Sequence, residues 1–251
     1  MNKFTFNLKK FLSKKQKPLL LNIVGVGPGD SSLLTNAAIK TIKKSTVIFY
    51  PISGEDKKSY AAEIVKKYIR FKKQIPIVFP MARKEFNAEE IWSNSTEKIV
   101  KHINNRESVV LLCLGDPSIF GSSSYISEKI RTKYPEILIK TMPGISSISA
   151  GAAIQNLQLL KQGEILKVLE CPNNQNEFND LLQNEFKEKN VLVLMKIGKR
   201  WIWLKDLLKE RGIIDKCFLA INIGMKDQIV EKAENINADN LPYFSLLFLR
   251  F

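Results

Sequence analysis

From residue 18 onward, short unbroken apolar runs alternate with longer stretches in which apolar positions recur at helical spacing. The runs at 19–26, 47–50, 75–79, 109–114 and 137–141 read as strands. The stretches 31–44, 60–68, 88–104, 123–132 and 145–156 read as helices, the last rich in small residues. This βαβα rhythm predicts a parallel sheet. Residues 109–114 are apolar at every position, as a central strand covered on both faces requires. Beyond Leu160 the composition changes, and the turn formers of 171–176 separate two apolar stretches. Strands at 166–170, 191–196, 218–223 and 243–250 then alternate with helices at 177–188 and 201–211. The fold class is α/β. The chain divides into a basic arm (1–18), an N-terminal α/β domain (19–142) and a C-terminal α/β domain (143–251).

The chain has 251 residues, 45% of them apolar, enough for a sizeable core. Its formal charge of +14 is unevenly spread. Lys3, Lys9, Lys10, Lys14, Lys15 and Lys17 lie in the first 18 residues. About +8 remains on the body, which suits a polyanionic partner: nucleic acid, lipid headgroups or a multiply carboxylated metabolite. No apolar run approaches the roughly 20 residues that cross a bilayer. The arm lacks the continuous apolar segment of a secretory signal and reads as a solvated tail rather than an amphipathic anchor. Cys113, Cys171 and Cys217 are widely spaced, as expected of buried thiols in a reducing, cytoplasmic setting.

Absences narrow the chemistry. His102 is the sole histidine, expected at the surface of a helix, so zinc sites and Ser-His-Asp hydrolysis lack their parts and no metal is expected. Gly198-Lys199-Arg200 has neither the leading glycine nor the trailing hydroxyl of a P-loop.

Gly25-Val26-Gly27-Pro28-Gly29-Asp30 follows a strand and opens a helix, where backbone can approach a ligand. A dinucleotide fingerprint would have glycine in place of Asp30 and an acidic residue near 45–50, where none occurs. Asp30 is a good helix cap and a poor neighbour for pyrophosphate, so the loop is expected to take a ligand without phosphate. Two further loops, 115–121 and 143–147, end the next inferred strands. Three loops at the carboxyl edge of one parallel sheet predict a shared pocket.

Gly25-Val-Gly-Pro-Gly-Asp with Leu33-Leu34-Thr35 and Ala38, then Tyr50-Pro51, Pro80-Met81, Leu114-Gly-Asp-Pro, Pro143-Gly-Ile-Ser-Ser-Ile-Ser-Ala, Leu194-Met-Lys-Ile-Gly and Pro242-Tyr-Phe-Ser stand in this order. Together they resemble the tetrapyrrole (corrin/porphyrin) methylases, and within them the precorrin-2 C(20) subfamily of cobalamin biosynthesis. The resemblance implies S-adenosylmethionine held in a cleft between two α/β domains, usually in a homodimer. It implies cofactor contacts from Gly27, Pro28, Gly29, Leu114, Gly115, Asp116, Ile119, Ser146, Ser147, Met195 and Gly224. Ser118 and Gly121 depart from the bulkier or hydroxylated residues expected after Gly-Asp-Pro. The substrate's acetates and propionates make it a polyanion, for which Arg83, Lys84 and Lys196 are the candidates, with Lys199 and Arg200 beside them. Methyl transfer from a sulfonium is an in-line displacement with a neutral leaving group, so positioning dominates. Asp30 and Asp116 are candidate proton acceptors. Trp201, Trp203, Tyr243 and Phe244 are expected in packing. The alternatives are methylation of uroporphyrinogen III, of a later precorrin or of a protein, and, outside this class, a nucleic-acid-binding protein, which lacks a recognisable binding motif here.

Overall fold

The computed structural model describes residues 18–54, 57–79, 88–185 and 190–250. The basic arm up to Lys17, Pro80-Met81 and the substrate candidates Arg83 and Lys84 lie outside the described residues. Two five-stranded sheets organise the chain.

The first sheet comprises β1 (Leu20–Gly25), β2 (Val47–Ile52), β3 (Lys73–Val78), β4 (Val109–Cys113) and β5 (Leu138–Met142) in the order β3-β2-β4-β1-β5, with every pairing parallel. Alternate side chains of one strand face opposite layers. On β4, Val109 and Leu111 join Ile99, Val100 and Ile103 of α3 (Ala88–Asn104) and Ile126 and Ile130 of α4 (Ser123–Lys133). Val110 and Leu112 join Ala38 and Ile42 of α1 (Asn36–Lys44) and Ile64 and Val65 of α2 (Tyr60–Ile69) on the other side. Both faces are dry, hence the uninterrupted apolar run.

The second sheet is mixed. β6 (Ile165–Glu170) and β7 (Asn190–Met195) pair in parallel, and β10 (Ser245–Arg250) runs antiparallel to β7 and to β8 (Cys217–Ile221). β9 (Ile229–Lys232) closes the edge. One face packs on α6 (Gln175–Glu185) and α7 (Trp201–Glu210) through Phe178, Trp201, Leu204 and Leu208. The other packs on α5 (Ser147–Ile154). The small residues of α5 let it sit close: a Cβ on Gly151 would stand 3.1 Å from the Ala220 Cβ. Leu33 and Ile119, both from the first half of the chain, also pack against this cluster.

Several boundaries differ from the sequence reading. The expected helix 31–44 is split into a 3-10 turn, Ser31–Leu33, and α1. Asp30 caps the first through Ser32 N–H (2.7 Å) and Thr35 caps the second through Ala38 N–H (3.1 Å), with Leu34 extended between them. The strand at 191–196 stops at Met195 because Lys196 turns to φ +59°. β9 was not anticipated. β10 begins at Ser245, leaving Tyr243 and Phe244 on the preceding loop.

Trp201 is fully buried and its indole N–H donates to the Ala238 carbonyl at 3.0 Å. Trp201→Ala is expected to cost about 3–5 kcal/mol, read as a lower urea midpoint by circular dichroism.

Candidate active site

The loops that leave β4, β1 and β5 emerge side by side because those strands are neighbours. Their backbones nearly touch. A Cβ on Gly25 would fall 2.6 Å from Gly144 N and 2.8 Å from Gly115 O, so the first loop tolerates no side chain there. Gly27 and Gly115 form an isolated antiparallel bridge, with Gly115 N–H donating to Gly27 O at 2.8 Å. Asp116 holds the second loop and ties it to the third. One carboxylate oxygen accepts from Ser118 N–H (2.8 Å) and the Ser118 hydroxyl, and the other accepts from Gly144 N–H (2.9 Å). Burial pushes the Asp116 carboxyl up, but these three hydrogen bonds outweigh it and hold the group below its ordinary value.

The second half closes the site. Gly224, just beyond β8, lies against Gly29 so closely that a Cβ on Gly29 would stand 2.5 Å from the Gly224 carbonyl carbon. Between the halves lies a crevice of about 250 Å³. Of the expected cofactor residues, Pro28, Leu114, Gly115, Asp116, Ile119, Ser146, Ser147 and Met195 all line it. Gly27, Gly29 and Gly224 are not among its lining residues; they make the backbone contacts just described. Asp30 is likewise absent from the lining. Its carboxyl accepts from Ser32 N–H, the main cause holding it below the ordinary value.

Lys196 lines the crevice, with its ammonium 3.4 Å from a Glu170 oxygen and 5.1 Å from the centre of the Phe120 ring. Lys196 and Phe120, both in the crevice lining, have positive φ, a strained conformation for residues with side chains. Arg200 donates to the Lys196 carbonyl (3.0 Å) and to the Asn173 side chain (2.8 Å), fixing the turn after β7.

The mouth carries residues that the sequence reading missed. Tyr60, at the start of α2, meets Phe244 edge-on at 5.1 Å, and Phe244 meets Tyr243 at 5.3 Å. All three line the crevice, and Tyr60 and Tyr243 are 54% and 41% exposed. Tyr243 and Phe244 are therefore not core residues as expected: β10 begins only at Ser245, three residues after Pro242, which has no backbone N–H to give to a ladder. The telling signal was the proline just before the aromatic pair. Lys58 also lines this mouth. His102, expected at the surface, is half-buried, with its ring edge-on to Phe49 and Nδ1 paired with Glu107, away from the crevice. Trp201 and Trp203 do pack in the second core. Among the described residues no helix is long and apolar enough to cross a membrane.

The profile of the tetrapyrrole (corrin/porphyrin) methylases matches residues 20–236. The chain belongs to this family. A methylase relative from Methanocaldococcus jannaschii, named a probable cobalt-precorrin-2 C(20)-methyltransferase, is 34% identical over 90% of this chain and 94% of its own length. A precorrin-2 C(20)-methyltransferase from Sinorhizobium sp is 23% identical over 90% of this chain and 93% of its own. Among solved structures, the uroporphyrin-III C-methyltransferase of Thermus thermophilus complexed with S-adenosylhomocysteine shares the fold, with a TM-score of 0.62 and 18% identity over 91% of this chain and 96% of that one.

Two predictions test the geometry. Asp116→Ala leaves the Gly144 and Ser118 donors without their partner and should cost about 1–3 kcal/mol at neutral pH. Because the folded-state pKa is depressed, this contribution is present above the unfolded carboxylate value of about 3.9 and is lost as pH falls through the lower folded value. Urea melts of wild type and variant should therefore converge in acid. The buried thiols should also be sluggish. Desolvation pushes Cys113 up to about 11, Cys171 to about 12 and Cys217 higher still, so Ellman's reagent at pH 8 should react slowly with the native protein and promptly after denaturation.

Proposed function

We propose that this methylase transfers a methyl group from S-adenosylmethionine to carbon 20 of precorrin-2, metal-free or carrying cobalt, during corrin-ring assembly. The observation that carries the reading is the convergence of Pro28, the 114–119 segment, Ser146 and Met195 on one crevice with an aromatic mouth. The choice of ring carbon follows the names of the C(20) relatives. The resemblance further implies a homodimer, which sedimentation checks, and the three free buried thiols support a cytoplasmic setting.

The crevice fits the donor. It presents backbone from glycine-bounded loops, apolar side chains from Leu114, Ile119, Met195 and Met225, and one carboxylate, Asp116. The part of the lining around Asp116 suits a cationic ligand that carries no phosphate, while Lys58 and Lys196 on the same walls suit the carboxylates of a second ligand. When bound, S-adenosylmethionine supplies a methyl group on a sulfonium. The chain's task is to hold an electron-rich ring carbon about 3–3.5 Å from that methyl group and to exclude water. Leu114, Ile119, Ile223 and Met225 line the crevice with apolar surface that does the latter.

At about 250 Å³ the crevice is slightly smaller than the usual small-molecule site. It holds one ligand and leaves the macrocycle to the mouth, where Tyr60, Phe244 and Tyr243 offer ring faces and edges. Lys196 and Lys58 take carboxylates from the macrocycle's fringe, and Arg83 and Lys84 remain candidates for the same task. Asp116, ionised and with both oxygens engaged, serves to position the loops rather than to accept a proton. Asp30 lies outside the lining and is equally unsuited to that role.

Incubation with methyl-labelled S-adenosylmethionine and a panel of tetrapyrroles, followed by carbon NMR, is expected to place the label on carbon 20 of precorrin-2. Labelling at another carbon, or of uroporphyrinogen III alone, would replace this reading. Lys196→Gln should raise KM for the tetrapyrrole about tenfold with little change in affinity for S-adenosylmethionine.

A further inference from the structure

A second concavity adjoins the mouth. It lies between α2 and the β2-β3 edge of the first sheet, with Tyr50, Ile52, Gln74 and Pro76 as its floor. Ile52 and Lys58 line both this groove and the crevice, so the two spaces share a wall. The groove's charge is one-sided. Among the described residues, Lys57, Lys58, Lys66, Lys67 and Arg70 line it against a single carboxylate, Glu63, which pairs with Lys66. Glu55 and Asp56, next to Lys57 in sequence, lie outside the described residues.

The arrangement follows from the topology. β3 is the edge strand, and among the described residues no further strand pairs with it beside α2. Along α2, residues 59, 62, 63, 66, 67 and 70 recur at helical spacing and present one continuous face to the opening. Lys66 and Lys67 stand about 9–11 Å along the helix axis from Tyr60 at the mouth. Lys67 and Arg70 have their charges beside the Tyr68 and Phe71 rings, contacts that leave the ammonium and guanidinium N–H groups able to donate.

We infer that this groove is an anion subsite that receives the outward-pointing carboxylates of the macrocycle while its ring rests on the Tyr60–Phe244–Tyr243 mouth. The inference rests on the tetrapyrrole reading above and deepens it by naming residues that discriminate by carboxylate number. Among the described residues the crevice offers Lys58 and Lys196 as lining cations for a ring with eight carboxylates. The groove adds Lys57, Lys66, Lys67 and Arg70. It therefore favours fully carboxylated tetrapyrroles over those whose acetates have been lost.

The test compares the unaltered chain with its Lys66→Gln, Lys67→Gln, Arg70→Gln triple variant; none of the three residues lines the crevice. Glutamine keeps the helix propensity of α2, and circular dichroism checks the fold. Uroporphyrin III, with eight carboxylates, and coproporphyrin III, with four, are titrated by the shift of their visible absorption band. At about 50 mM salt the variant should bind uroporphyrin about tenfold more weakly, with a clearly smaller loss for coproporphyrin. The difference should fade toward about 500 mM salt, and affinity for S-adenosylmethionine should be unchanged. Equal uroporphyrin affinity in both proteins at low salt would overturn the groove assignment and leave the methylase reading intact. Equal losses for the two porphyrins would also overturn it. Failure of the wild type to bind or methylate any tetrapyrrole would remove both.

Discussion

Three strand-end loops meet at the edge of the first sheet closer than side chains permit, and one carboxylate holds two of them together. Gly25 and Gly144 allow the approach, Gly115 supplies the turn at φ +71°, and Asp116 bonds across it. The cost of that approach is low only because β4, β1 and β5 are adjacent and parallel, so the loops leave in one direction from a common rigid base. The crevice, its apolar lining and the placement of Ser146 all depend on this meeting point. Ser146 itself follows Gly144 by two residues and caps α5 through Ser149 N–H at 3.2 Å, so the same segment fixes the loop and starts the helix.

Much of this was visible in one sequence, for identifiable reasons. Residues 109–114 could be read as a central strand because two helical layers require apolar side chains on both faces. The three loops could be read because glycine and proline, joined by aspartate in the first two, mark backbone that must turn sharply at a strand's end. Other features resisted. β9 is a four-residue edge strand, Ile-Val-Glu-Lys, whose half-exposed face gives no sustained pattern. Tyr243 and Phe244 merged with the apolar run of β10 because hydropathy does not separate an aromatic ring lining a mouth from one packed inside. His102 is polar within a charged helix; only the tertiary neighbours Phe49 and Glu107 draw it inward. Tyr60 and Lys58 gain their place at the mouth from the position of α2 beside β2, a matter of strand order that no local pattern encodes.

Charge likewise acquires meaning only through placement. A net +14 is compatible with several partners. The structure sets Lys58 and Lys196 on the walls of one crevice and a row of cations on the neighbouring helix face. The acidic counterparts are largely committed: Asp116 to the loops, Glu63 to Lys66 and Glu170 to Lys196. On the function proposed above, a macrocycle fringed with carboxylates would meet a field of mostly one sign, the arrangement that speeds encounter with a polyanion.

Leu33 and Ile119 reach from the first half of the chain into the apolar layer between α5 and the second sheet. Swinging the halves apart would strip those two side chains from their packing, so a wide jaw-like opening is disfavoured. Traffic in and out must then pass through rearrangement of short segments such as the turn at Phe120 and the loop bearing Tyr243. A shift of the rim gives up less buried apolar surface than a parting of the two sheets.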